Sequence, residues 1–265
     1  MRREPVVAGA FYDANPETLT KNIAQMTGEP VKKTKAFGVV APHAGYMYSG
    51  LVAAQVYAGV VIPQTVIIMG PNHTGLGEPI SVFSKGAWAT PLGDVEVNQE
   101  LAGKILEKCP AASRDTAAHA REHSVEVHLP FLQYHKKGFD FVPIVLGEYS
   151  LENLRSLAAA IASCVKGKDI LLIASSDLTH YEEAETARAK DKLVLSAIEE
   201  LDPEKMYREV DENAITMCGW MPVYTLLHAC NKLGAKQGKI IKYMNSGDTS
   251  GDYSEVVGYG GALII

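Results

Sequence analysis

Cysteine is scarce in this sequence: there are four in 265 residues, and none of them forms a CxxC pair. A disulfide framework would need a denser and more regular pattern, so we expect four reduced thiols. Cys109, Cys164 and Cys230 fall inside or at the end of helical patterns and are expected to be buried as small apolar side chains. Reduced thiols in turn predict a cytoplasmic protein.

A concentrated positive face and a long apolar run are also missing. The net charge is −6, and the one basic cluster, Lys32, Lys33 and Lys35, is typical of a solvated linker. Phosphate binding needs a dense basic surface, so nucleic acid is not an expected partner. The longest apolar stretch, residues 51–63, is interrupted by Gln55. It falls short of the roughly 20 residues of a membrane span. We therefore expect neither a membrane span nor a signal peptide.

What the sequence does contain is an alternation of apolar, β-branched runs with stretches of helical spacing. Strands are predicted at residues 37–41, 65–69, 80–84, 95–97, 141–146, 170–174, 240–244 and 256–265. Helices are predicted at residues 50–61, 98–108, 124–134, 151–165, 184–201 and 221–233, with Asn98 and Ser150 as N-caps. This order predicts one α/β domain spanning residues 1–265. Its central sheet should be mostly parallel or mixed, with helices on both faces.

Histidines follow three of the four main predicted strands. His43, His73 and His180 each come a few residues after a strand, and ligands of open α/β sheets bind beyond these carboxyl ends. Two imidazoles plus one anionic ligand suit zinc, iron or copper. Cys218 is a candidate for the third ligand, because it precedes a predicted helix whose N-terminus would lower the pKa of the thiol. The sequence therefore predicts a metal site at this edge of the sheet.

Two further polar segments leave alternatives open. Residues 121–128 are polar but lack the HExxH pattern of zinc proteases. They fit either a helix start with acidic first-turn residues or a cleft lined by Glu122 or His123. Ser175, followed by Asp177 and His180, invites a hydrolase interpretation. There is no GxSxG elbow, however, and serines that end a strand are often helix caps.

Five segments in this order and spacing resemble the Memo family: APHAGYMYSG (41–50), GPNH (70–73), EHSVE (122–126), SSDLTH (175–180) and CG (218–219). The resemblance covers nearly the whole chain. It implies a fold like that of the class III non-haem iron extradiol dioxygenases, which open aromatic rings. It also implies iron or copper held by His43, His73 and Cys218, and zinc stays possible. Those dioxygenases usually supply a carboxylate where this chain has Cys218, so ring-opening chemistry is not directly inherited.

The resemblance further implies that Asp177 and His180 face the same cleft and that Phe11 and Tyr48 line it, although Phe11 is often Trp in relatives. On this basis the first hypothesis is a metal-dependent redox enzyme, a possible oxygenase, in which His180 is a general acid or base oriented by Asp177. The second is a non-catalytic module that binds a peptide or small ligand in the cleft. A metal-free hydrolase is the third. Radical-SAM and AMMECR-type proteins are the partners that the resemblance implies.

Overall fold

The computed structural model describes residues 1–147 and 150–265, which form alternating strands and helices. The strands are β1 (Arg2–Arg3), β2 (Gly38–Ala41), β3 (Thr65–Pro71), β4 (Ile80–Val82), β5 (Ala87–Thr90), β6 (Gly93–Val97), β7 (Ser113–Arg114), β8 (Asp140–Leu146), β9 (Ile170–Ser175), β10 (His180–Glu182), β11 (Gly238–Asn245) and β12 (Val256–Ile264). The helices are α1 (Pro16–Thr27), α2 (Tyr46–Gly59), α3 (Gln99–Lys108), α4 (Leu129–His135), α5 (Leu151–Val165), α6 (Ala184–Glu199), α7 (Pro203–Glu212), α8 (Trp220–Leu233) and α9 (Gly247–Ser250), and a 3₁₀ turn covers Glu126–His128.

The described strands form one mixed sheet whose centre is parallel. Its order is β1-β5-β6-β8-β3-β9-β2-β12-β10, while β11 pairs with β12, and β4 pairs with β8 and β7. The adjacent strands β8, β3, β9 and β2 all run in the same direction. β12 lies antiparallel beside β2. The α/β fold with a mostly parallel, mixed sheet is confirmed, and the carboxyl ends of the four central strands share one edge.

Helices cover both faces of this sheet, as predicted. In β3, Ile67 and Met69 belong to a core formed with α3, α5 and α8. The alternate residues Val66 and Ile68 belong to a second core, formed with α1, α2 and α4. All four side chains are fully buried. Each contributes roughly 1.5–3 kcal/mol through the hydrophobic effect, so the central strands are anchored from both sides.

The two predicted caps are confirmed, whereas the predicted helix at residues 124–134 starts later than expected. The side chains of Asn98 and Ser150 accept hydrogen bonds from the first turns of α3 and α5. In the other segment a 3₁₀ turn precedes α4, which begins only at Leu129. Glu126, at the start of the 3₁₀ turn, makes a buried tertiary contact.

That contact ties the N-terminal segment to the loop that carries Glu122. Arg3 is buried, and its Nη1 lies 2.6 Å from Oε2 of Glu126, which is itself fully buried. Nη2 of Arg3 donates to the carbonyl of Glu122 at 2.6 Å. The other oxygen of Glu126 accepts a hydrogen bond of 2.7 Å from the hydroxyl of Tyr12. Breaking a buried pair of this kind costs about 3–5 kcal/mol, so this network holds one wall of the cleft in place.

Candidate metal centre

His43, His73 and Cys218 meet at the carboxyl edge of the parallel strands. His43 follows β2, His73 follows β3, and Cys218 precedes α8. One donor atom from each of the three lies within 4.8 Å of the other two. Sγ of Cys218 is 3.2 Å from Nε2 of His43. Metal bonds of about 2.0–2.3 Å place donor atoms roughly 3–4 Å apart, so the spacing is close to that of a metal site.

Gly219 allows Cys218 to reach this edge. A Cβ atom at position 219 would lie 2.2 Å from the carbonyl oxygen of Ser175 and 2.5 Å from Cβ of Ser176. Neither distance is compatible with a real side chain, so the residue after Cys218 must be glycine for α8 to start against the end of β9. The Cys-Gly pair of the sequence therefore has a steric explanation.

His43 is buried and held at two points. Its Nδ1 lies 2.7 Å from the hydroxyl of Ser175, and its backbone N–H donates to Oδ1 of Asp177 at 2.8 Å. Burial lowers the pKa of His43 well below its ordinary value, and the nearby His73 and His123 lower it further. The imidazole is therefore neutral, which is the form that binds metals.

His73 is exposed and is oriented by the buried carboxylate of Glu122. Nδ1 and the backbone N–H of His73 lie 2.9 and 2.6 Å from the two oxygens of Glu122. Burial alone would raise the pKa of Glu122. The hydrogen bond from His73 and the charge of His73, then the backbone N–H of Ser124 and the charge of His123, instead lower it to about 2. Glu122 is thus an anion that directs Nε2 of His73 into the cleft, as carboxylates commonly do behind metal-binding histidines.

Cys218 differs from its prediction in one respect. Burial raises the pKa of the Cys218 thiol, and the nearby Asp177 raises it further. The lowered pKa expected from a helix start is therefore wrong for the metal-free protein, because desolvation outweighs the backbone N–H groups of Cys218 and Gly219. Among the four cysteines Cys218 is nevertheless the one that is partly exposed, and the other three are buried as predicted.

Asp177 and His180 lie close to Cys218 at the same cleft. One donor atom from each of the three residues lies within 4.8 Å of the others. Burial raises the pKa of Asp177 to about 6. Nδ1 of His180 lies 2.7 Å from the carbonyl oxygen of Leu178, to which it must donate, because a carbonyl only accepts. Nε2 of His180 has no hydrogen-bond partner among the described residues.

Asp177 and His180 are not joined by a helical turn that would let Asp177 orient His180. The backbone there is extended, because the N–H of Leu178 donates to the carbonyl of Gly258, and the N–H of Gly258 donates to the carbonyl of Thr179, both at 2.8 Å. His180 therefore begins β10 and is oriented by backbone carbonyls rather than by Asp177.

The aromatic residues and His123 lie around the histidines. The ring of His123 stacks on that of His73 at a centroid distance of 4.7 Å, and the ring of Phe11 meets His123 edge-on at 4.8 Å. Tyr48 is half-buried in the first turn of α2. Burial raises the pKa of Tyr259, and Asp177 and Tyr48 add to the rise. Phe11 therefore lies beside His123, and the place of Tyr48 in the cleft stays a prediction.

Sequence reasoning missed a layer of buried residues behind His43. The hydroxyl of Ser175 contacts Nδ1 of His43 at 2.7 Å and Nε2 of His128 at 2.8 Å. Nδ1 of His128 in turn lies 2.9 Å from the hydroxyl of Tyr57. Ser175 was visible as a polar residue at a strand end. No spacing in the sequence, however, connects Tyr57, His128 and Ser175 with one another.

The fold and this cluster define an α/β protein with potential metal ligands at the carboxyl edge of its parallel strands. A family model described as Memo-like protein matches residues 3–263. A MEMO1 family protein of Aquifex aeolicus is 46% identical over 265 residues, which cover 99% of each chain. Another MEMO1 family protein, from Methanopyrus kandleri, is 43% identical over 275 residues and covers 98% of this chain and 97% of its own. The chain belongs to the Memo family.

A solved structure shares the fold at much lower sequence similarity. An uncharacterized protein of Escherichia coli K12 superposes with a TM-score of 0.57 at 14% identity, covering 84% of this chain and 98% of its own. At this identity the likeness shows the fold alone.

Proposed function

We propose that the protein binds a transition metal through His43, His73 and Cys218 and uses it in a redox reaction on a small substrate. The observation that carries this proposal is the convergence of the three donor atoms within 4.8 Å at one sheet edge. The buried partners behind both histidines support it, because each holds Nδ1 and leaves Nε2 for the cleft.

The donor set fits the group that the family resemblance implies. Two imidazole nitrogens and a thiolate suit iron, copper or zinc, whereas magnesium and calcium prefer oxygen ligands. We propose iron or copper as the native metal, with zinc as the alternative. When bound, iron or copper would supply electron transfer and oxygen chemistry, of which an oxygenase reaction is one form.

The residues around the ligands have separate proposed roles. Nε2 of His180 is free to give or take a proton of the substrate, since Nδ1 donates to backbone. Asp177 is adjacent, and its pKa of about 6 lets it hold or release a proton near neutrality. Phe11 and Tyr48 would contact the substrate. His123 would contact it beside Phe11, and Glu122 would act through His73.

Metal analysis of protein purified without an affinity tag and without added metal tests the proposal. We expect close to one equivalent of a redox-active metal, lost in Cys218→Ser. The same metal should be retained in Cys164→Ser, a matched change at a buried thiol away from the cleft. Oxygen-uptake assays on catechols then test the oxygenase chemistry. A folded wild-type protein that takes up no iron, copper or zinc would contradict the proposal.

A groove beside the cleft favours a second candidate, a non-catalytic module that binds a peptide. The groove has a volume of about 590 Å³, and Phe11, Tyr46, Met47 and Leu51 are among its lining residues. Phe11 borders both the groove and the histidines. Binding of labelled peptides that survives metal removal, and that is lost when the exposed Met47 is changed to Asp, would support this candidate. Binding that requires the metal would favour the enzyme.

Location and partners are also proposed. Among the described residues, no helix combines the length and the apolar character needed to cross a bilayer. The four cysteines are free thiols, which supports the proposed cytoplasmic location. Radical-SAM and AMMECR-type proteins are proposed as partners on the family resemblance alone, and co-purification with each of them is the test.

A further inference from the structure

Three polar groups converge on the hydroxyl of Ser175. Its Oγ lies 2.6 Å from the carbonyl oxygen of Ser124, 2.7 Å from Nδ1 of His43 and 2.8 Å from Nε2 of His128. Ser124, Ser175 and His128 are fully buried, and His43 is 2% exposed. The hydrogen bonds of this cluster must therefore be completed among the residues themselves.

Counting hydrogens fixes the direction of each bond. A carbonyl oxygen only accepts, so the single hydrogen of the Ser175 hydroxyl goes to Ser124. The two remaining lone pairs of Oγ then require a donor from each imidazole. Nδ1 of His43 and Nε2 of His128 consequently both carry hydrogen. A neutral His43 then has its lone pair on Nε2, the atom 3.2 Å from Sγ of Cys218.

His128 is held in turn from its other side. Its Nδ1 lies 2.9 Å from the hydroxyl of Tyr57. Because Nε2 of His128 carries the hydrogen, Nδ1 accepts the hydrogen of Tyr57. Tyr57 is fully buried, and its hydroxyl contacts no other polar group among residues 1–147 and 150–265. The chain of hydrogen bonds therefore does not reach solvent, so it orients the imidazoles rather than conducting protons.

We propose that Ser175, supported by His128 and Tyr57, is a positioning residue that locks His43 in the Nδ1–H tautomer. The lock presents the Nε2 lone pair of His43 to a metal ion. The effect of Ser175 on metal binding rests on the proposed function, whereas its effect on the tautomer of His43 is present in the metal-free protein as well. The same hydrogen count argues against the hydrolase hypothesis. Both imidazoles donate to Ser175, so neither can act as the base that activates its hydroxyl.

The tautomer can be read directly in the metal-free protein. Long-range ¹H–¹⁵N spectra of histidine-labelled protein distinguish the two tautomers, and His43→Gln assigns the signal of His43. We expect hydrogen on Nδ1 and a bare Nε2. In Ser175→Ala the acceptor is gone, so His43 should show a mixture of tautomers or the Nε2–H form. A wild-type His43 with hydrogen on Nε2 alone would overturn the inference.

Cobalt(II) titration measures the consequence for metal binding. The affinity of Ser175→Ala should be about 10–100-fold weaker, as is typical when a ligand loses its supporting partner. Ser175→Thr, which restores a hydroxyl, should recover both the tautomer and the affinity. Ser84→Ala is the matched control, because Ser84 is a buried serine whose hydroxyl has no hydrogen-bond partner in the described structure. Unchanged tautomer and affinity in folded Ser175→Ala would refute the lock.

A milder variant covers the case in which Ser175→Ala fails to fold. Tyr57→Phe keeps the ring and removes only the hydroxyl that donates to Nδ1 of His128. The ¹⁵N signal of Nδ1 should therefore shift, while the hydrogen stays on Nε2 because Ser175 still requires it. An unchanged Nδ1 signal, or hydrogen on Nδ1 in either protein, would contradict the network. If the wild-type protein binds no cobalt, the proposed function fails. The spectra of the metal-free protein still test whether Ser175 fixes the tautomer of His43.

Discussion

Replacing Glu122 by Gln perturbs the best-defined electrostatic interaction of the cleft. The carboxylate is fully buried, and it accepts hydrogen bonds from Nδ1 and the backbone N–H of His73 and from the backbone N–H groups of His123 and Ser124. Glutamine has only one acceptor oxygen. Its NH₂ group would place two hydrogens beside N–H groups that already donate to Glu122. We therefore expect both the fold and the orientation of His73 to suffer.

The pKa of Glu122 gives the magnitude. It lies at about 2, against an ordinary value of 4.5. At about 1.4 kcal/mol per pKa unit, this difference is worth roughly 3 kcal/mol. Because the folded-state pKa is depressed, the contribution is complete above pH 4.5 and is lost as the pH falls toward 2. At about pH 3 less than half of it remains.

Urea unfolding of the metal-free proteins, followed by circular dichroism, measures this contribution. Glu122→Gln should be about 3 kcal/mol less stable than the wild type at pH 7, and the gap should shrink by more than half at pH 3. The exposed Glu96→Gln is the control, with no gap expected at either pH. A difference in the free energy of unfolding that is absent at pH 7, or equal at the two pH values, would refute the reasoning. Cobalt(II) affinity should also fall, by about 10–100-fold, through His73.

Three further predictions concern other residues of the cleft. His43→Ala should empty the proposed site while His180→Ala leaves metal content nearly intact, and equal loss in both would make His180 a ligand. In metal-free protein, iodoacetamide should label Cys218 before the three buried cysteines. The labelling rate should still rise above pH 8, because burial raises the pKa of the thiol. Mass-spectrometric mapping that finds a buried cysteine labelled first would contradict this prediction. Burial raises the pKa of Asp177 from 3.8 to about 6, so the ionised carboxylate costs stability as the pH rises through this interval. Asp177→Asn should therefore unfold at higher urea than wild type at pH 7 and at similar urea below pH 4, and a less stable variant at pH 7 would disprove the argument.

The parts of the fold that depend on local pattern could be predicted from the sequence. Apolar runs located the four central strands, and Asn98 marked the start of α3. Two helices were missed although their signals were present. Asn15 caps α1 and Asp202 caps α7, each followed by proline in the first turn, a combination that favours helix starts. These helices could have been found.

The interactions that orient the candidate ligands could not be predicted in this way. The strand-end rule brought His43 and His73 to one edge because parallel strands align their carboxyl ends. The partners of these ligands come from distant parts of the chain: Glu122 is 49 residues from His73, and Ser175 is 132 residues from His43. No periodicity links such pairs. Their pairing depends on tertiary packing, which is also why the protonation of Cys218 was predicted wrongly.

The protonation of the cleft is consistent with a site for a divalent cation. Imidazole ligands are neutral when they bind metals, so His43 and His73 contribute no charge. Glu122 is ionised, since its pKa is about 2. In the metal-free protein the raised pKa of Cys218 keeps the sulfur protonated. This avoids adding a thiolate to the charges of Glu122 and of Asp177, whose pKa is about 6. A divalent cation would displace the thiol proton, and its charge would then compensate these nearby anions. Because the pKa of Cys218 is raised, metal binding at this site should release a proton and weaken as the pH falls.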